Sequence, residues 1–286
     1  MRKIYLLLTA VIVLISINAS KTFAQIKTDK PIKFFTFRWS TDIPTIELSY
    51  GLSDIKISGY NTDFVKPGMI ELKLGYASEY DSPYSTKVID YDNDYIFLSK
   101  STTDISSKGS PGINSDMWRF GFGNKEGMGL RLGKYSVMPY TSNSFAWSKF
   151  TFDRVAAAGA GDYSKFDDFS DAFRFGTATE AGINFQVTKG LSLNPKYEIS
   201  DIFSRHLFGQ QFVSSLIELG GAHILDNFIT KIMRDTPIAG TIVNFVLRNA
   251  YEYGIYELRR DHANWPFSGE APLRISSFKM GMSLTF

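Results

Sequence analysis

The sequence contains no cysteine among its 286 residues. This absence excludes disulfide bonds, thiol redox chemistry, thiolate metal ligands and attachment to a membrane through a lipidated cysteine. Histidine is scarce as well, and His206, His223 and His262 form no HExxH motif or similar ligand spacing. No GxSxG elbow is present either. We therefore expect no catalytic residue, no metal and no cofactor, and we do not expect an enzyme.

A large charge excess of one sign is also missing, since the chain has 31 basic and 29 acidic residues. Three of the basic residues lie in residues 1–24, so the remaining chain has 28 against 29 and a net charge of −1. No run of basic residues is interleaved with aromatic ones, which argues against a nucleic-acid partner.

The N-terminus has the three parts of an export signal. Met1, Arg2 and Lys3 supply a positive start, residues 4–17 are apolar, and small residues precede a cleavage site after Ala24. The alternative is a membrane anchor, but this apolar run is shorter than the roughly 17 residues that a spanning helix needs. We predict a signal peptide over 1–24, Sec-type export, and a mature chain over 25–286.

Alternation of large apolar residues with small or polar ones is the main pattern of the mature chain. A period of two residues is that of a β-strand, in which successive side chains point to opposite faces. Seven segments follow it, namely residues 35–40, 46–52, 70–76, 118–123, 128–133, 181–187 and 278–286.

These segments predict a mainly β protein with antiparallel strands, one apolar face and one polar face. A soluble barrel or sandwich would also alternate, with its apolar face turned inward. Here the apolar face is bulky and aromatic and the polar face is charged or glycine, which favours a transmembrane barrel. We expect about 8–12 strands, an outer loop over 154–171, an inner turn over 188–190, and a short turn over 124–127.

The last alternating segment, residues 279–286, resembles the closing strand of bacterial outer-membrane β-barrel proteins. The long loops rich in Tyr, Asp and Ser are similar to those of barrels from the Bacteroidota. The resemblance implies an outer-membrane location in a Gram-negative bacterium, contact with the lipid bilayer, and Phe286 as a signal for the barrel-assembly machinery. The polar face would then line the lumen, at Arg38, Glu47, Glu71, Lys73, Arg119, Arg131, Glu180 and Lys279.

A helical insertion precedes the last strand, over residues 203–265. Its apolar residues change to helical spacing, with Leu225, Phe228, Ile229 and Ile232 on one stripe. A first helix should end at the two glycines 220–221, and a third should begin at Pro237, after Thr236. If both termini are periplasmic, this insertion leaves from the extracellular end, and we expect it to cap or plug the barrel.

Three functions remain open at this point. The chain could be a pore or transport barrel partly occluded by helices, with an unknown solute. It could be a non-conducting structural or interaction subunit of an envelope assembly, with a protein partner. An outer-membrane enzyme is the third and weakest alternative.

Overall fold

The computed structural model describes residues 43–60, 64–106, 112–154, 157 and 163–286. The predicted signal peptide over 1–24 and the alternating segment over 35–40 lie outside these residues. The described chain consists of eight strands, two long helices and a few short turns of helix.

The eight strands form one closed barrel in which each strand pairs with its neighbours in the sequence, and β8 closes on β1. Every pairing is antiparallel. The prediction of an antiparallel barrel with a helical insertion before the last strand is confirmed. The strands are β1 (Ile43–Ile57), β2 (Gly68–Ser82), β3 (Ser85–Thr102), β4 (Ser115–Leu132), β5 (Tyr135–Phe152), β6 (Arg174–Thr188), β7 (Leu191–Ile202) and β8 (Leu273–Thr285).

The two ends of the barrel differ in the length of their connections. Two-residue turns at 83–84, 133–134 and 189–190 join strands at one end, which we call the short-turn end. The other four connections, from β1 to β2, from β3 to β4, from β5 to β6 and from β7 to β8, join strand ends at the opposite or long-loop end. Short turns at one end and long loops at the other are typical of outer-membrane barrels.

The outer wall of β1, β2 and β8 exposes a continuous band of apolar side chains. Most of their inward-pointing neighbours are polar or small and are buried. This difference between the two faces of each strand produces the period of two. The exposed band includes Ile46, Leu48, Tyr50, Leu52, Ile70, Leu72, Leu74, Phe278, Met280, Met282 and Leu284.

Two of the predicted segments belong to a single strand. Residues 118–123 and 128–133 were expected to flank a turn at 124–127, but β4 runs without interruption through all of them. The turn prediction is therefore wrong. Alternation did not predict three strands, β3, β5 and β7, and with these the described residues contain eight strands.

Aromatic and aliphatic side chains fill the barrel at its long-loop end. Phe166, on the short helix α1 (Ser164–Asp167), is fully buried. Its ring centroid lies 5.0 Å from that of Phe64, which in turn packs on inward-facing Phe150 at 5.9 Å. This apolar plug contains Ile55, Ile57, Ile113, Met117, Phe150, Ala157, Tyr163, Phe166, Phe169, Ile202, Leu273 and Ile275.

The insertion before β8 is a helical hairpin of α2 (Phe208–Asp235) and α3 (Pro237–Arg259). Pro237 opens α3 directly after Thr236, as predicted. The expected end at residues 220–221 is wrong, because α2 continues through both glycines. Gly221 instead permits close approach of the helices, since a Cβ atom there would lie 2.3 Å from the Tyr251 hydroxyl. Among the described helices, none is long and apolar enough to cross a membrane.

Glycine at position 182 makes space for an inward-facing aromatic ring. A Cβ atom at Gly182 would lie 2.4 Å from the Cζ and hydroxyl oxygen of Tyr140, which is 1% exposed. We expect Gly182→Ala to lower the free energy of unfolding by about 1–3 kcal/mol, the usual cost of overpacking. The urea midpoint of the refolded protein in detergent measures it.

The matched control is Gly220→Ala, where a Cβ atom would meet no neighbour within 4 Å. This change removes a glycine from a helix and should be neutral or stabilising, by up to about 1 kcal/mol. Equal destabilisation by both substitutions would contradict the packing argument.

Candidate functional site

Charged side chains from six strands meet inside the barrel, midway between its ends. We call this set the lumen cluster. Its side chains are at most 6% exposed. It contains the carboxylates Glu47, Glu71, Glu180 and Glu198 and the cations Lys73, Arg119, Lys125, Lys196 and Lys279.

Lys196 on β7 bridges three carboxylates. Its Nζ donates to Glu47, and it lies 3.4 Å from Glu71 Oε1 and 3.5 Å from Glu180 Oε2. Those three acids belong to β1, β2 and β6, so a single ammonium group connects both sides of the barrel. Glu47 also accepts from Lys125 Nζ on β4, at 2.7 Å.

Lys279 plays the same part from the closing strand. Its Nζ lies 2.9 Å from Glu71 Oε1 and 2.8 Å from an oxygen of both Glu180 and Glu198. Arg119 donates to the other oxygen of Glu198 at 2.6 Å. Every carboxylate of the cluster therefore contacts at least one cation, as buried charges require.

A cavity of about 90 Å³ lies toward the short-turn end, and Glu47, Lys73 and Lys125 are among the residues that line it. This volume is room for a few water molecules. With the apolar plug beyond the cluster, the interior is filled at two levels.

The structure brings together six of the eight residues proposed as lumen-facing. Arg131 does not join them: its side chain is 46% exposed and pairs with Asp81 near the short-turn end. Arg38 lies outside the described residues. The six that meet are Glu47, Glu71, Lys73, Arg119, Glu180 and Lys279.

Sequence reasoning missed three members of the cluster. Lys125 was assigned to the incorrect turn. Lys196 and Glu198 lie on β7, where Ser192, Asn194 and these two residues alternate with outward residues. The period of two is therefore present in β7, although Pro195 interrupts its row of outward apolar residues.

The helical hairpin lies against the outer wall of the barrel, over strands β3 to β6. Asn143 Nδ2 donates to Glu252 Oε1 at 3.1 Å, and Arg248 lies 3.5 Å from Glu126. Nearer the long-loop end, the Tyr256 hydroxyl donates to Thr177 Oγ1 at 3.2 Å.

Asn143 and Glu126 point outward, since successive side chains of a strand alternate between its two faces and their neighbours point inward. Ser142 and Ser144 on either side of Asn143 are buried in the barrel, and Lys125 next to Glu126 belongs to the lumen cluster. The expectation that the insertion caps or plugs the lumen is therefore corrected. The loops of the apolar plug close the long-loop end instead.

The hairpin turns at the short-turn end of the wall. There Ile229 and Met233 of α2 pack on Val88 of β3, with Met128 and Leu130 of β4 beside them. At the other end of α3, Arg274 on β8 pairs with Glu257 and Asp201. The two helices thus follow the strands along most of their length.

The hairpin covers a part of the wall that is polar. We call it the polar wall stripe, and its members are the outward residues Asp90, Asp92 and Asp94 of β3, Asn124 and Glu126 of β4, and Thr141 and Asn143 of β5. Asn124 donates to both Asp92 at 2.6 Å and Asp94 at 2.8 Å. Elsewhere on β3 the same face carries exposed Ile96 and Leu98.

Two hydrogen bonds tie the loops together beyond the strands. Ser58 donates to Asp261 at 2.5 Å and lowers the pKa of that carboxyl group. Ser204 donates to Glu270 at 2.6 Å and lowers its pKa in the same way. Asp261 and Glu270 flank the segment that leads from α3 to β8, so these bonds fix its path.

The three histidines lie apart from the lumen cluster. His206 contacts the ring of Phe175, His223 is on α2, and His262 Nδ1 lies 3.0 Å from the carbonyl oxygen of Gly269. Within the described ranges, no group of three or more metal-ligating side chains could hold an ion.

Comparisons with known proteins find likeness only among solved structures. No protein-family model and no curated protein matches the sequence. Neisserial surface protein A is 10% identical with a TM-score of 0.42, and the alignment covers 85% of this chain and 97% of that one. Ail, the attachment invasion locus protein of Yersinia pestis, is 11% identical with a TM-score of 0.36 and coverages of 86% and 99%.

The outer membrane protein OprG from Pseudomonas aeruginosa is similar at 10% identity, with a TM-score of 0.33 and coverages of 86% and 97%. With TM-scores below 0.5, these similarities carry no argument about what this chain does.

Neutralising the centre of the lumen cluster should destabilise the barrel. We expect Lys196→Gln to lower the free energy of unfolding by about 3–5 kcal/mol, because it leaves buried carboxylates without their shared cation. The urea midpoint in detergent micelles, followed by tryptophan fluorescence, measures this loss.

The control is Lys56→Gln, which removes an equivalent charge from a pair with Asp54 in which the lysine side chain is 70% exposed. An exposed pair contributes at most about 1 kcal/mol. Equal effects of the two substitutions would contradict the burial and the pairing of Lys196.

Proposed function

We propose that this chain is an integral outer-membrane β-barrel with a closed lumen, which serves as a structural or interaction subunit of the cell envelope. The observation that carries the proposal is the lumen cluster, in which Lys196 and Lys279 connect carboxylates on opposite sides of the barrel. A pore would need a path for water where these side chains meet.

The outer surface supports the location in a membrane. Closed barrels leave no strand edge unpaired, which is the condition for a β-structure to span a bilayer. The apolar band on β1, β2 and β8 would face acyl chains, and exposed side chains such as Leu48, Leu72 and Phe278 would be costly in water. The asymmetry of turns and loops is that of outer-membrane barrels.

Two features favour a non-conducting barrel over a pore that helices occlude. The helices expected to act as a plug lie outside the lumen, so their displacement would open nothing. The lumen cluster is built from strands, whose side chains cannot leave without loss of the barrel wall. The surfaces that could bind an envelope protein would then be the exposed ones, namely the long-loop end and the hairpin.

The first experiment tests location. We expect the mature protein to fractionate with outer membranes, to resist carbonate extraction, and to migrate differently on gels with and without heating. The last property follows because a closed barrel stays folded in detergent until heated. Recovery as a soluble periplasmic protein would overturn the membrane proposal.

The second experiment tests the closed lumen. The purified protein, reconstituted in planar bilayers, should show no steady conductance, and the Phe166→Ala variant should remain equally silent. That variant weakens the apolar plug but leaves the lumen cluster in place. Steady conductance of the unmodified protein would support the pore interpretation. Conductance of the variant alone would mean that the apolar plug, and not the lumen cluster, blocks the lumen.

A further inference from the structure

The exposed face of α3 is apolar, whereas its buried face includes several polar residues. Ile238, Ile242, Val246, Ala250 and Tyr253 recur at spacings of three or four residues and are all exposed, with Ile242 at 59%. The opposite face carries buried polar residues, namely Thr241, Asn244, Glu252 and Arg259. A helix on the surface of a soluble protein has the reverse distribution.

The other helix also exposes large apolar residues. Phe212, Leu216, Leu219, Ile224 and Phe228 of α2 are exposed, at 43–73%. The stretch from the first to the last of them is about 24 Å long at the helical rise of 1.5 Å per residue. This length matches the apolar band of a membrane barrel, which is about 25 Å tall.

Most of the exposed charge on the hairpin lies beyond this stretch, and Asp226 within the stretch pairs with Arg248 at 2.6 Å. Lys231, Arg234 and Asp235 are exposed where α2 meets α3, at the short-turn end. Arg260 and Asp261 are exposed at the far end of α3. The exposed surface between these two groups is almost free of charge, as a segment between two polar interfaces would be.

The inner face of the hairpin has the complementary character, because it contacts the polar wall stripe. Glu252 accepts from Asn143, and Arg248 lies between Glu126 on the wall and Asp226 on α2. Polar side chains of the hairpin and of the wall are thus paired directly with one another on this side.

We propose that the α2–α3 hairpin is embedded in the bilayer beside the barrel, with its exposed face in contact with lipid acyl chains and its polar residues against the wall, so that neither helix crosses the membrane alone. The hairpin then completes the outer wall over β3 to β6 and continues the apolar band of β1, β2 and β8. The occupant of this face is lipid, because the apolar band and the exposed face of the hairpin lie at the same depth and are both apolar. The proposal rests on the membrane location proposed above.

The absence of cysteine allows a direct test on the full chain. Single-cysteine variants Ile242→Cys on the hairpin, Leu72→Cys on the barrel wall and Ser268→Cys in the last loop are spin-labelled and reconstituted in phosphatidylcholine vesicles. All three side chains are exposed, so labelling should leave the fold intact, and the gel shift on heating checks this.

Collision with oxygen and with a water-soluble nickel chelate then reports the surroundings of each label. We expect the Ile242 label to match the Leu72 label, with access to oxygen and loss of access to nickel, while the Ser268 label is open to nickel. If Leu72 is lipid-exposed but Ile242 reaches nickel, the hairpin lies in water and only the further inference fails. If Leu72 also reaches nickel, the membrane location fails.

Protection of the Ile242 label from both reagents would mean that a protein surface covers it. Either a second copy or a different envelope protein would then occupy the face, and the lipid assignment would be overturned. Repeating the measurement at Phe212, near the other end of the hairpin, separates a local contact from a continuous lipid-facing surface.

Discussion

A polar group that faces lipid acyl chains must find its partner inside the protein, because hydrocarbon supplies no hydrogen bond. The backbone meets this constraint by closing the barrel, with β8 paired to both β1 and β7. The side chains meet it in two places. Charges that point inward form ion pairs in the lumen cluster, and polar groups on the outer wall of β3 to β5 lie beneath the helical hairpin.

The lumen cluster also has a consequence for strand register. Lys279 on the closing strand contacts Glu71 on β2 and Glu198 on β7, so it connects β8 to strands on both sides. A shift of β8 by one residue would turn Lys279 outward and place Phe278 in the lumen, since successive side chains alternate between faces. Eight strands enclose an interior that side chains just fill. A network of charges in that space therefore tolerates few alternative arrangements, although buried ion pairs contribute little net stability.

The strands that alternation predicted are those whose outer face is uniformly apolar, such as β1 and β8. Strand β3 was missed because its outward residues include Asp90, Asp92 and Asp94, while Tyr91 and Tyr95 point inward. Its pattern is inverted along the part that the hairpin covers. Residues 124–127 resembled a turn for the same reason, because Asn124 and Glu126 also face the hairpin. The cluster residues on well-alternating strands were accessible from the sequence, whereas their partners across the barrel depended on the closure of the sheet.

An apolar stripe on a helix does not tell which surroundings it packs against, and the helical hairpin shows why. Leu225, Phe228, Ile229 and Ile232 fit one stripe, and burial of such residues is worth about 1.5–3 kcal/mol each wherever water is excluded. The structure divides the stripe, since Ile229 is 2% exposed against the wall while Phe228 is 54% exposed on the outer side. A helix placed between a protein wall and lipid has two water-free surroundings, and both accept apolar residues. Only the polar residues distinguish the two sides, because Glu252 and Arg248 point toward the wall and find partners there. The positions of the polar residues therefore orient the hairpin, and the apolar ones set how deep it can lie.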